Sequence, residues 1–135
     1  MTARNYLLRA WRIDERIARR IEEREQLRRR LRAAAPERET PQWRRAQAGV
    51  EAMSAAIGEE IAQLCDVKRE INAAIEAVED ERYKQLLELR YRNYMTWGAI
   101  AEMMDYELRH VYRLHRAALK RVDCGDGDGG RRRQA

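Results

Sequence analysis

The sequence predicts an all-α fold, and three observations carry that prediction. Charged residues make up 38% of the 135-residue chain, Phe is absent, and proline is limited to Pro36 and Pro41. That composition suits long amphipathic helices rather than sheet. Apolar residues recur at three- and four-residue intervals through most of the first 80 positions, which is the period of one helix face. The length fits one small domain, or a compact domain with a helical extension, and argues against a large enzyme.

The first helix is expected over about 5–33. Ala10, Ile13, Ile17, Leu27 and Leu31 form its stripe, Leu7, Trp11 and Ile21 widen it, and the remainder is largely Arg and Glu. Pro36 interrupts the pattern. Thr40 then offers an N-cap with Pro41 at the first helical position, so a second helix is expected over about 41–79. Val50, Met53, Ile57, Ile61, Leu64, Ile71, Ile75 and Val78 line it. Gly49 and Gly58 weaken it by about 1 kcal/mol each relative to Ala.

Charge is segregated along the chain. Residues 1–45 carry 14 basic and 7 acidic groups, residues 46–80 carry 2 and 8, and residues 81–122 carry 9 and 5. Neighbouring segments of opposite sign attract, and a short connection makes consecutive helices antiparallel. Residues 1–80 are therefore expected to form a coiled-coil-like helical hairpin, leaving the basic excess of 81–122 to meet a polyanion. Leu7, Trp11 and Trp43 exceed the needs of a narrow seam. They point to packing on the third segment, to a homodimer through the hairpin, or to closure of the hairpin's own ends.

Cys65 and Cys124 form no CxxC pair and no disulfide framework, so free thiols are expected. No apolar run reaches the roughly 18–20 residues of a membrane span, and the N-terminus has no apolar signal core. A soluble protein of a bacterial host's cytoplasm, with no membrane partner, is expected. The tail 123–135, "DCGDGDGGRRRQA", has no apolar period and is expected to be disordered. Its Asp-Gly repeats lack the closing glutamate of a calcium loop.

The remaining segment, 81–122, has three helical patterns at about 81–92, 97–104 and 107–122. Ile100-Ala101, Met104-Asp105-Tyr106, Val111 and Leu114 have helix-turn-helix spacing: a small residue where two helices cross, a turn four later and an apolar anchor ten later. Trp97 and Ala118 complete the expected core. On the last helix Val111, His115, Ala118 and Val122, helped by Leu108 and Leu114, lie on one side. Arg109, Tyr112, Arg113, Arg116 and Lys120 lie on the other. That basic face suits a DNA major groove, with Arg109, His110 and Arg113 placed for base edges and Arg116 and Lys120 for phosphates. The alternative is a merely solvated basic face.

The stretch "LLELRYRNYMTWGAIAEMMDYELRHVYRLHRAALKRV" resembles region four of bacterial sigma factors, and most nearly the phage-encoded, sigma-region-four-like ArpU/RinA-like late transcription activators. Leu89-Arg90-Tyr91, Thr96-Trp97, Ile100-Ala101 and Val111-Tyr112-Arg113-Leu114-His115 carry the resemblance, which covers Arg82 to Val122. It implies sequence-specific binding of double-stranded DNA, regulation of transcription and contact with RNA polymerase. Three positions depart from the family pattern. Asp105 stands where glycine is usual, Gly98 where glutamate is usual, and Glu107 where a serine N-cap is usual, so the last helix starts uncapped or is capped by Asp105. Nothing resembles the promoter-melting sigma domain, so a complete sigma factor is not expected.

Enzymatic chemistry finds no footing. His110 and His115 are five apart, about 140° around a helix, and cannot share a metal. No Gly-rich phosphate loop, Cys/His ligand pair or Ser-His-Asp cluster is present. A non-enzyme with no cofactor and no metal is expected. The leading reading is a phage- or prophage-type transcription regulator. The alternatives are a DNA-packaging protein of the small-terminase kind, and a helical adaptor that uses the helix-turn-helix to bind protein.

Overall fold

The computed structural model describes residues 1–34 and 40–124. Its elements are α1 (Ala3–Leu7), α2 (Arg9–Ala33), α3 (Pro41–Glu76), α4 (Glu81–Leu87), a π-helical turn (Glu88–Arg92), α5 (Trp97–Met104) and α6 (Leu108–Leu119). The fold is all-α, with no strand among the described residues. The first expected helix is divided at Leu8, and Arg9 Nε donates to the Tyr6 carbonyl at 3.0 Å at the end of α1. Thr40 Oγ1 accepts from the Trp43 N–H at 3.1 Å and caps α3. No helix among the described residues is long and apolar enough to cross a membrane.

The chain divides into two compact units, Arg12–Asp66 and a second that joins Met1–Trp11 to the residues from Val67 onward. The boundary therefore does not fall at 80/81. The beginning of α2 and the end of α3 each contribute buried apolar side chains to the second unit.

Within Arg12–Asp66, α2 and α3 run antiparallel, as their contacts show. Arg16 Nε and Arg20 Nε meet the Glu60 carboxylate at 3.1 and 2.7 Å, Arg24 Nη1 donates to Ser54 Oγ at 3.2 Å, and Trp43 Nε1 donates to the Leu31 carbonyl at 3.3 Å. Partners recede along α3 as α2 advances. Ile13, Ile17, Val50 and Ile57 are buried between the helices. Ile61, expected in the same seam, is 44% exposed. It lies one turn beyond Ile57 but about 40° further round the helix, outside the contact line. Ile21 and Trp11 are also exposed, and Trp43 is half-buried.

In the other unit, Leu7, Ala10, Ile71, Ala74, Ile75 and Val78 join Leu86, Leu87, Tyr91, Ile100 and Val111 in one core. Full burial of a side chain such as Leu87 or Ile100 contributes about 1.5–3 kcal/mol. Arg9 Nη2 to Glu70 Oε1, at 2.8 Å, pairs the basic and acidic segments within this unit. Asp80 Oδ1 caps α4 by accepting from the Arg82 and Tyr83 N–H groups at 2.9 and 3.3 Å.

The helix expected over 81–92 is α-helical only to Leu87. The Asn93 N–H then bonds to the Glu88 carbonyl at 3.1 Å, a five-residue step, and Met95 N–H bonds to Leu89 at 3.0 Å. Tyr94 closes the segment at φ 57°, in the left-handed region. Val122 and Cys124 are buried, so the ordered core runs further than the tail reading allowed; residues 125–135 lie outside the described residues. Cys65 is exposed, and neither cysteine is in a disulfide.

Candidate nucleic-acid interface

Thr96 Oγ1 accepts from the Ala99 N–H at 3.2 Å and starts α5. Asp105 stops it at φ 59°, ψ 46°. Its N–H bonds to the Glu102 carbonyl at 3.2 Å and the Tyr106 N–H bonds to Ala101 at 2.9 Å, which is the paired closure of a helix by a left-handed residue. Asp105 is thus spent on ending α5. Glu107 stands at the N-cap of α6 and makes no side-chain capping bond. Of the two alternatives for the start of α6, the uncapped one holds, and its first-turn N–H groups are left without a side-chain acceptor.

Helix α6 has two unlike faces. Val111, Leu114, His115 and Ala118 are buried; Arg109, Tyr112, Arg113, Arg116 and Lys120 are exposed. From Leu108 to Val122 there are five cations and no carboxylate. Leu108, assigned by its spacing to the anchoring side, is 42% exposed instead. As the first residue of α6 it precedes the turn that dips into the core. His110 is half-buried, its ring 4.5 Å from that of Tyr106, edge to face, with Nδ1 3.4 Å from an Arg113 nitrogen.

Ile100 and Ala101 are buried, whereas Trp97, Met104 and Tyr106, also expected in the core, are half-buried. Trp97 serves as a hub. Its ring lies 4.5 Å from His115 and 5.7 Å from Tyr112, edge to face in each case, and the Arg90 guanidinium sits over it at 4.3 Å. Arg90 also donates to the Met95 carbonyl at 2.8 Å. This ties the π-helical turn to α5 and α6.

Beneath α6, Tyr91 Oη lies 2.6 Å from His115 Nε2. Burial pushes the His115 pKa down to about 4, and the Arg90, Arg4 and Arg116 charges add to it. Burial also raises the Tyr91 hydroxyl. Both groups are therefore neutral near pH 7, and a single proton lies in the bond between Tyr91 Oη and His115 Nε2. His115 is a packing residue, and no set of three or more His, Cys, Asp or Glu among the described residues could hold a metal.

Sequence spacing brought out the two faces of α6. It missed Arg90 as the brace of Trp97 and gave no sign of Arg4, which stands near Tyr91 and His115 from the opposite end of the chain. Comparison with family models, curated proteins and solved structures yields no match.

Proposed function

We propose that the protein is a sequence-specific binder of duplex DNA, a transcription regulator of the phage or prophage kind that the resemblance implies, with RNA polymerase as a further contact. One observation supports this reading above the others: the buried face of α6 anchors an exposed face on which Arg109, Arg113, Arg116 and Lys120 stand with no carboxylate. A helix fixed in that way fits a major groove about 12 Å wide. Arg109, His110, Tyr112 and Arg113, near its start, would meet base edges, and Arg116 and Lys120 would meet phosphates. The uncapped first turn adds backbone donors where a phosphate is stabilised. Exposed Ile21 and Ile61 on the Arg12–Asp66 unit leave room for pairing of two chains, which would present two such helices to a repeated site.

A second reading draws on Met103, Leu108 and Tyr112, which are exposed at 60%, 42% and 40% on α5 and α6. Apolar surface of that kind suits an adaptor that meets protein instead of DNA. Selection of bound sequences from a random duplex pool separates the two. Enrichment of a defined motif supports the regulator. A pool that stays random, with a folded protein, removes it.

A further inference from the structure

Two small pockets lie on either side of Tyr91 and Tyr94. One, about 280 Å³, is lined by Arg4, Leu8, Trp11 and Arg90 together with both tyrosines. The other, about 240 Å³, is lined by Lys68, Asn72, Arg92 and Asn93 among others, again with both tyrosines. All of these residues belong to the same compact unit. Four cations line the pair and no carboxylate lines either, although Arg92 is paired outside the pocket with Glu88 at 3.0 Å.

The site is built rather than incidental. The π-helical turn and the left-handed Tyr94 set the wall between the two pockets, and π-turns of this kind are frequent at functional sites. Arg90 is held in place by the Met95 carbonyl and the face of Trp97, so its position does not depend on a ligand. Trp11, 43% exposed, supplies apolar surface beside two guanidiniums.

We propose that these twin pockets bind an acidic segment of a partner protein, laid across Tyr94 with a carboxylate in each pocket. Each pocket is smaller than the roughly 300–1,000 Å³ of ordinary small-molecule sites, but fits one anchoring side chain. Arg4 and Arg90 offer the first pocket forked donors that match a carboxylate, and Lys68 offers the second a compact positive charge. A duplex is the poorer occupant. Tyr91 stands between the first pocket and the buried side of α6, so DNA held on the exposed side of α6 would not reach the pockets; this last step rests on the proposed DNA-binding reading.

The test is anisotropy titration of the full chain with a fluorescein-labelled octapeptide of alternating glutamate and leucine, and with its glutamine counterpart. The parent should bind the glutamate peptide and not the glutamine one. Arg4→Ala and Lys68→Ala should each weaken binding about fivefold, the range of a partly exposed charge contact, with Arg4→Lys recovering most of the loss. Arg19→Ala, on the other unit, should leave it unchanged. Arg4 and Lys68 are both exposed, so the fold should survive, as circular dichroism would verify. Equal binding of the two peptides, no effect of Arg4→Ala, or an Arg19→Ala effect as large as that of Arg4→Ala would each overturn the proposal. The same variants titrated with duplex DNA keep the two readings apart. Arg4→Ala should leave DNA binding intact, and if it weakens DNA but not peptide, the pockets are a nucleic-acid surface and the peptide proposal falls.

Discussion

Tyr91 and His115, 24 residues apart, share a hydrogen bond of 2.6 Å in the core beneath α6. The helix proposed to meet DNA is thereby attached to the π-helical turn by a buried polar contact as well as by apolar packing. Its strength depends on His115 remaining neutral.

That dependence fixes a pH response. The His115 pKa is about 4 in the folded chain against an ordinary 6.5, so above pH 6.5 both states are neutral there and the group adds no pH dependence. As pH falls from 6.5 towards 4, the unfolded chain takes up the proton and the folded chain does not, and stability declines. The decline due to this group should reach about 2 kcal/mol by pH 5. Urea melts at pH 7.5, 6 and 5 on the parent and on His115→Leu would measure it. The variant is weaker at pH 7.5, since Tyr91 loses its partner, but its curve should be flatter. Parallel curves would show that His115 is not held neutral.

The turn between α5 and α6 makes a second prediction. Asp105 adopts φ 59°, where glycine pays no steric penalty and a β-branched residue pays a large one. Asp105→Gly should be neutral or stabilising by up to about 1 kcal/mol, and Asp105→Val destabilising by about 1–3 kcal/mol. Thermal melts of both suffice. An Asp105→Val protein as stable as the parent would contradict the left-handed turn.

Ile57 and Ile61 supply a third, because they are one helical turn apart and differ in burial, 4% against 44% exposed. Ile57→Asp places a carboxylate between α2 and α3 with no partner and should lower stability by about 3 kcal/mol or more. Ile61→Asp should change it by no more than about 0.5 kcal/mol. Comparable melting losses for the two would mean that the seam is wider than these contacts indicate. If chains pair through this face, Ile61→Asp should still lower the solution mass seen by light scattering.

What the sequence revealed, and what it hid, follows from how each feature is encoded. Val111, Leu114, His115 and Ala118 repeat at helical spacing, so the anchoring face of α6 could be read directly; helix-turn-helix spacing pointed likewise to a turn at Asp105. The exposed position of Ile61 could not be read. A periodic stripe names the apolar side of a helix but not the narrower line its neighbour covers. The π-helical turn at 88–92 and the left-handed Tyr94 carry no glycine or proline to mark them, although Tyr91 within the turn is buried. Arg4 and Arg90 lie 86 positions apart, and only the fold gives them a common pocket.

The two faces of α6 give the last prediction, because DNA binding requires them to differ in kind. Arg109 and Arg113 are one turn apart at the start of the helix and exposed. There a bidentate contact with guanine contributes about 1–3 kcal/mol of base discrimination. Lys120, at the other end of α6, should reach phosphate only. Arg113→Ala should therefore weaken a selected site more than random duplex. Lys120→Ala should weaken both alike and lower the salt dependence by about one unit of slope. Val111 is fully buried, so Val111→Asp should unfold the unit rather than alter specificity. Anisotropy titrations on selected and random duplexes, at two or more salt concentrations, distinguish these outcomes. If Arg109→Ala and Arg113→Ala both bind the selected site as the parent does while remaining folded, α6 does not read bases. The exposed Met103, Leu108 and Tyr112 would then make the protein-binding adaptor the better account.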